Sequence, residues 1–114
     1  MNVNQLIIEA GSAIGYPVAQ DIYTGSKEKY ITFTYEDERA ALYADDEEQI
    51  ETAYLMVSMV TPTDYNYFSD RAELKKKLKK SGFNVPSIQS WIENEGTKKI
   101  RRTIFTVNIT GQED

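Results

Sequence analysis

Apolar side chains recur at helical spacing in two segments of the chain. The first segment has one apolar face, made of Val3, Leu6, Ile7, Ala10 and Ile14. It predicts a helix that ends near Gly15, because Pro17 prevents its continuation. The second segment repeats its buried-face positions at steps of four, three and four residues, at Tyr67, Arg71, Leu74 and Leu78. It predicts a second helix with Thr63 or Asp64 as its N-terminal cap and with Gly82 at its C-terminal end.

Three strands are predicted between the two helices. Residues 30–35 alternate between an apolar face and a face that carries Tyr30, Thr32 and Thr34. The acidic residues 36–38 are predicted to turn the chain into a second strand at 39–44. Residues 53–60 are apolar at nearly every position, which is typical of a central strand with contacts on both faces.

Two more strands are predicted after the second helix, at residues 87–95 and 98–110, with a turn at 94–97. The element order is therefore α-β-β-β-α-β-β. Consecutive hairpin-like connections favour an antiparallel sheet of about four to five strands, with both helices packed on one face. The chain has no internal repeat and no linker composition, so we expect one α+β domain over residues 1–114.

The composition argues against most enzyme and metalloprotein classes. The 114 residues include no histidine, the usual general base and zinc ligand, and no cysteine. Ser12 lies in a glycine-flanked segment, but no histidine exists to activate it, and no phosphate-binding glycine loop occurs. We therefore expect no enzyme activity, catalytic residue, cofactor or metal. No apolar run is long enough for a membrane span, and no signal peptide is visible, so no membrane partner is expected.

The net charge of −5 conceals two regions of opposite charge. Residues 1–70 carry three basic and thirteen acidic side chains, a balance of −10. Residues 71–102 carry ten basic and three acidic side chains, a balance of +7. Such a division indicates a nucleic-acid face, an acidic partner, or association of one region with the other in a second copy.

The acidic region contains a dense carboxylate cluster at Asp45, Asp46, Glu47 and Glu48, followed by Glu51. Carboxylates could bind calcium or magnesium, but the spacing lacks the alternation and central glycine of a calcium loop. Two interpretations remain, a solvated hairpin tip and a loop that contacts a neighbouring subunit.

The basic region has two parts. Lys75, Lys76 and Lys79 lie in the last turns of the second helix, where cations complement the helix dipole. Arg101 belongs to a second group, at residues 98–102, which extends the basic region along the last strand, beside the helix end. Specific DNA binding is not expected from an acidic chain without a docking motif, whereas non-specific phosphate contact remains an alternative.

The chain has eight tyrosines, a residue type suited both to cross-strand packing and to protein interfaces. The better interface candidates lie opposite the apolar face of their strand, and they are Tyr30, Thr32 and Thr34.

Several segments carry a family resemblance. They are residues 15–18, 30–33, 42–48 leading into 54–58, 74–83 and 104–107. Together with the element order, they resemble the tail-completion and tail-terminator (head-tail joining) proteins of long-tailed bacteriophages and prophages of Gram-positive bacteria.

The resemblance implies a structural protein of the virion, assembled in the bacterial host cytoplasm, that caps the head-proximal end of the tail tube as a hexameric ring. Its partners would be further copies of itself, the tail-tube protein and the head connector or neck protein. An acidic patch at residues 45–51 and a basic patch at 75–80 could supply the two surfaces of such a ring. Two alternatives stay open, a neck or head-completion protein and a small intracellular protein-binding module.

Overall fold

The computed structural model describes residues 2–42 and 49–112, and for residues 38–42, 49–51 and 112 it describes the backbone path only. The elements, in chain order, are α1 (Val3–Ala13), β1 (Val18–Gln20), β2 (Tyr30–Leu42), β3 (Gln49–Pro62), α2 (Phe68–Lys80), β4 (Asn84–Glu95) and β5 (Lys98–Gln112). This confirms the α+β class. The element order matches the predicted α-β-β-β-α-β-β roughly, because two of the three strands between the helices have other bounds than predicted and one was not predicted.

The five strands form one sheet in the order β1-β2-β3-β5-β4. Every neighbouring pair is antiparallel except β1 and β2, which are parallel, so the sheet is mixed rather than antiparallel. The short β1 was not predicted, because its three residues are too few to show a period.

The predicted turn at residues 36–38 is wrong. These residues continue β2, and the two strands predicted at 30–35 and 39–44 are one strand as far as Leu42. The register with β3 shifts between Tyr35 and Asp37, as in a β-bulge. A bulge absorbs one extra residue without ending the strand, so an acidic triplet typical of a turn is accommodated inside a ladder.

The predicted cap of the second helix is also wrong, because α2 begins at Phe68 with Tyr67 as its N-cap residue, and no side chain caps it. Thr63 and Asp64 instead form a turn after β3, where the Tyr65 N–H donates to the Pro62 carbonyl at 3.2 Å. The predicted end at Gly82 is confirmed. Gly82 has a φ of +106°, and the next N–H, that of Phe83, donates back to the Leu78 carbonyl at 3.0 Å.

The core lies between the two helices and one face of the sheet. Its fully buried members include Ile7, Leu74, Leu78, Ile31, Phe33, Leu55, Val57, Phe105 and Val107. Because strand side chains alternate, the predicted apolar faces of β2 and β5 contact the helices. β3 has buried apolar side chains on both faces, with Leu55 and Val57 toward the helices and Val60 on the other side. The opposite face carries no helix, and on it lie Tyr30, Ser58, Trp91 and Arg102, as the strand register requires.

The sheet extends beyond the helix layer at one end. A Cβ at Gly82, after the last turn of α2, would lie 3.5 Å from Ile109 Cδ1, and the Tyr35 hydroxyl donates to the side-chain carbonyl of Asn4 in α1. Past these levels the strands continue as an extension that we call the β arm, made of residues 38–42, 49–52 and 110–112. The molecule measures 56 × 25 × 23 Å, so it is elongated along its strands. Neither described helix is long and apolar enough to cross a membrane.

Candidate interaction surfaces

The acidic cluster Asp45–Glu48 lies outside the described residues. In the chain it connects Leu42, at the end of β2, with Gln49, at the start of β3. Glu51 is described through its backbone, which pairs with Ala40 and Gly111 inside the β arm. The sequence connection thus places the cluster after the last described residues of the arm.

Lys75, Lys76 and Lys79, which we call the α2 lysines, are exposed. They lie away from Leu74 and Leu78, the buried side chains of the same helix. In the described part of the chain none of the three forms an ion pair. The helix therefore presents all three to solvent, and Lys79 lies in its last turn, where cations stabilise the helix.

Arg101 lies at the opposite end of α2 from these lysines, so the two parts of the predicted basic region do not join. Its guanidinium carbon is 4.6 Å from the centroid of the Tyr67 ring, on the helix-covered face of the sheet. The Arg101 Nε is buried and has no hydrogen-bond partner among the described residues. Arg101 is thus engaged within the subunit through a cation–π contact.

Tyr30 lies on the uncovered face, as predicted, and it too has partners inside the subunit. Its hydroxyl donates to Glu95 Oε2 at 2.9 Å, and its ring stacks on Tyr23 at a centroid distance of 4.5 Å. Burial, followed by the hydrogen bond to Glu95, raises the pKa of the Tyr30 hydroxyl. Tyr30 therefore joins the segment before β2 to the end of β4.

A network that the sequence did not predict surrounds Arg102. The Arg102 Nε donates to Glu93 Oε1 at 2.7 Å, and its Nη1 donates to Ser58 Oγ at 2.7 Å. The indole N–H of Trp91, 42% exposed, donates to the same Glu93 oxygen at 2.9 Å. The Arg102 hydrogen bond lowers the pKa of Glu93. Residues on β3, β4 and β5 meet here, so only the strand register brings them together.

A second unpredicted feature is a cleft at the end of the sheet away from the arm, which we call the sheet-end cleft. Its two main compartments measure about 260 and about 600 Å³ and share Ser26, Lys27 and Glu28. The lysines that line it or a smaller adjoining pocket are Lys27, Lys29, Lys98 and Lys99. Lys98 and Lys99 belong to the predicted basic region, whereas Lys27 and Lys29 lie in the acidic region, residues 1–70.

The loop that forms one wall of the cleft, residues 21–29, is held in place by specific contacts. The backbone N–H of Lys27 donates to the Tyr23 hydroxyl at 3.1 Å, and the N–H of Asp21 donates to the Phe33 carbonyl at 2.9 Å. Gly25 packs against the Tyr23 ring so closely that a Cβ would overlap it. A side chain at this position would therefore require the Tyr23 ring to move.

A carboxylate fixes the wall on the other side. Asp70, in the first turn of α2, accepts hydrogen bonds at its Oδ2 from the hydroxyls of Tyr16 at 2.5 Å and Tyr65 at 2.6 Å. The Lys29 Nζ lies 4.3 Å from the centroid of the Tyr65 ring. Burial is the main cause that raises the pKa of Tyr16, and the hydrogen bond to Asp70 adds to it. This arrangement, the Asp70 clamp, joins the end of α1 to the start of α2.

The chemistry of these surfaces is that of binding. Lysine, arginine and tyrosine side chains offer charge, hydrogen-bond donors and flat contact area, which are the properties of protein-binding surfaces. In the described ranges, no three carboxylates lie close enough together to share a metal ion.

Comparison with known proteins gives a likeness of fold at low sequence identity. No protein-family profile matches the sequence, and no curated protein matches it. A solved chain from the virion of a native gene transfer agent particle has a TM-score of 0.49 and 11% identity, and the likeness covers 91% of this chain and 84% of that one. Another solved structure, whose name states no function, has a TM-score of 0.46 and 13% identity over 99% of each chain.

Proposed function

We propose that this protein is a structural subunit of a phage-like virion, which assembles as a hexameric ring, caps the head-proximal end of the tail tube and takes part in joining head to tail. Its partners are further copies of itself, the tail-tube protein and the head connector. The observation that carries the proposal is the β arm, which extends past the helix layer of an elongated subunit. A TM-score of 0.49 is too low to transfer a function from the gene transfer agent particle.

The arm supports assembly because it has strand edges to offer. The outer edge of residues 38–42 in β2 has no neighbouring strand in the described part of the chain, since β1 pairs with β2 only at residues 31–33. Residues 109–112 of β5 likewise extend past their pairing with β4, which begins at Asn108. Open strand edges are templates for pairing with another chain, and this arm lies outside the helix layer of its own subunit.

The charge division supports a head-to-tail arrangement. The acidic cluster follows the arm, whereas the basic surfaces, the α2 lysines and the sheet-end cleft, lie on the body of the subunit. A surface that pairs with a different surface on the next copy makes a heterologous contact, which closes into a ring when the rotation allows it. Complementary charge then sets the register between subunits.

The proposal is tested by the oligomeric state and by capping of tail tubes. Mass photometry and electron microscopy of the purified protein, alone and with purified tail tubes, should show six-fold rings and a cap at one end of each tube. Neutral amides at residues 45–48 should shift assembly to higher protein concentration.

The matched control makes the same charge change at four exposed carboxylates on the body of the subunit, which are Glu9, Glu36, Asp64 and Glu73. This variant should assemble like the parent protein. A protein that stays monomeric at every concentration and salt, and leaves tail tubes uncapped, would contradict the proposal.

A further inference from the structure

We propose that the sheet-end cleft is the receiving site for the acidic segment, residues 43–48, of a neighbouring copy of this chain. The inference rests on the ring of the proposed function and specifies the contact that builds it. The observation behind it is the convergence of lysines and tyrosines from distant parts of the chain on one concave surface.

The cleft collects basic side chains from separate parts of the chain. Its two compartments adjoin along Ser26, Lys27 and Glu28, so a bound segment could contact both. Lysines approach from two directions, Lys27 and Lys29 from the loop and Lys98 and Lys99 from the start of β5. Ammonium groups on a concave surface act together on a bound anion, because the low-dielectric walls focus the field.

The lysines are available for a ligand. None of Lys27, Lys98 and Lys99 forms an ion pair within residues 2–42 and 49–112. The lining includes two carboxylates, Glu28 and Glu95, and Glu95 already accepts a hydrogen bond from the Tyr30 hydroxyl. Four lysines against two glutamates leave the cleft basic, whereas the segment 45–48 carries four acidic side chains. Cleft and segment are thus complementary in charge.

The cleft is also rigid, which lowers the entropic cost of binding. Its base includes the stacked rings of Tyr23 and Tyr30, and the Asp70 clamp fixes Tyr65 at its rim. The lysine stems start from strand ends and from a loop that the Tyr23 hydroxyl ties down. A preformed site of this kind needs little rearrangement when a peptide enters.

The segment must come from a second copy. The 14 residues of β3 run from Gln49, next to the acidic segment, to Pro62, which lines the cleft. At about 3.3 Å per residue they separate the two by about 45 Å. A subunit therefore cannot fill its own cleft. Gln49 and the cleft lie at opposite ends of β3, which gives a head-to-tail contact between copies.

The α2 lysines fit this role less well. They extend from the exposed side of one helix and line none of the cavities described above. Lys79 also has an explanation within the subunit, since cations stabilise the last turn of a helix. The lysines of the sheet-end cleft have no such explanation from helix geometry.

A peptide titration tests the inference directly. The probe is a synthetic peptide of residues 41–50, added to the 15N-labelled full-length protein under conditions where it is monomeric, with amide chemical shifts as the readout. The control peptide carries Asn or Gln at residues 45–48. We expect shift changes at residues 25–29 and 95–100, at least about tenfold weaker binding of the control peptide, and loss of binding near 1 M salt, where the Debye length falls to about 3 Å. Shift changes confined to residues 74–81, or none at all, would overturn the inference.

Two matched triple variants separate the basic surfaces. Lys27→Glu, Lys98→Glu and Lys99→Glu together should abolish peptide binding, whereas Lys75→Glu, Lys76→Glu and Lys79→Glu together should leave it within about twofold, since only the first set lines the cleft. Circular dichroism and amide spectra verify that both variants fold. Rings that form normally in the first variant would overturn the receiving site while leaving the ring itself intact, and a parent protein that forms no ring would contradict the proposed function instead.

Discussion

Replacement of Asp70 by Asn should destabilise the fold much more than its partial exposure indicates. The Asp70 Oδ2 accepts hydrogen bonds from two hydroxyls, that of Tyr16 at 2.5 Å and that of Tyr65 at 2.6 Å. These bonds join the segment after α1, the turn after β3 and the first turn of α2. An Asn side chain fills the same volume and keeps an oxygen with two lone pairs, so it can accept both hydrogen bonds, but it carries no charge.

The size of the effect follows from the kind of bond lost. Hydrogen bonds to a charged group contribute about 1.5–3 kcal/mol each, and neutral ones about 0.5–1.5 kcal/mol. In the variant both bonds become neutral, which removes about 1–1.5 kcal/mol from each. The side chain also loses its interaction with the helix N-terminus, about 0.3–1 kcal/mol. Tyr16 is 3% exposed, so its hydroxyl has little access to water as a replacement partner. We expect a loss of about 2–4 kcal/mol, which for a domain of this size lowers Tm by about 10 °C.

The assay is urea and thermal unfolding of the parent protein, Asp70→Asn and Glu73→Gln. Glu73 lies in the same helix and is exposed, so its replacement makes the same charge change without losing a buried contact and should cost less than about 0.5 kcal/mol. A double-mutant cycle with Tyr16→Phe should give a coupling energy of about 1 kcal/mol or more. An Asp70→Asn variant as stable as the Glu73→Gln variant would refute the clamp as a stabilising contact.

Three further predictions concern the core, the alkaline pH range and the loop. Phe105 is 0% exposed, so Phe105→Ala should lose about 3–5 kcal/mol in urea unfolding, and a loss below about 1 kcal/mol would contradict its place in the core. Folding raises the pKa of Tyr16, so the contribution of its protonated hydroxyl to stability is complete below pH 10 and is lost as the pH rises further. Above pH 10 the free energy of unfolding should therefore fall by about 1.4 kcal/mol per pH unit more in the parent than in Tyr16→Phe. Equal slopes would refute this assignment. Gly25→Ala should cost about 1–3 kcal/mol and alter the ring resonances of Tyr23, since its Cβ overlaps that ring; an unchanged spectrum would show that the loop packs differently.

The predictable part of the fold was the part set by periodicity. In α1, α2, β2 and β5 one face is buried and the other is not. The spacing of apolar residues along the sequence shows which face is buried. The prediction for the acidic residues 36–38 failed because their composition favours a turn, whereas backbone pairing with β3 holds them in a strand. β1 was not predicted because three residues are too few to show a period. Its parallel pairing with β2 depends on the position of the chain at the end of α1.

The candidate surfaces were predictable only in part, for a similar reason. The charges of the acidic cluster and of the α2 lysines are visible as runs in the sequence. The sheet-end cleft joins Lys27 with Lys98, and the Arg102 network joins Ser58 with Glu93, and these pairs are neighbours only through the strand order β2-β3-β5-β4. Arg101 was expected beside the α2 lysines, but the start of β5 lies at the opposite end of α2.

The most direct measurement of the central claim is electron microscopy of the purified protein mixed with purified tail tubes that lack a cap. The account predicts closed six-fold rings, each seated on one end of a tube, in the parent protein and in the control with four neutral amides on the body of the subunit. It also predicts fewer rings when residues 45–48 are neutralised. Monomers that leave both tube ends bare, at every protein concentration and at both low and high salt, would contradict it.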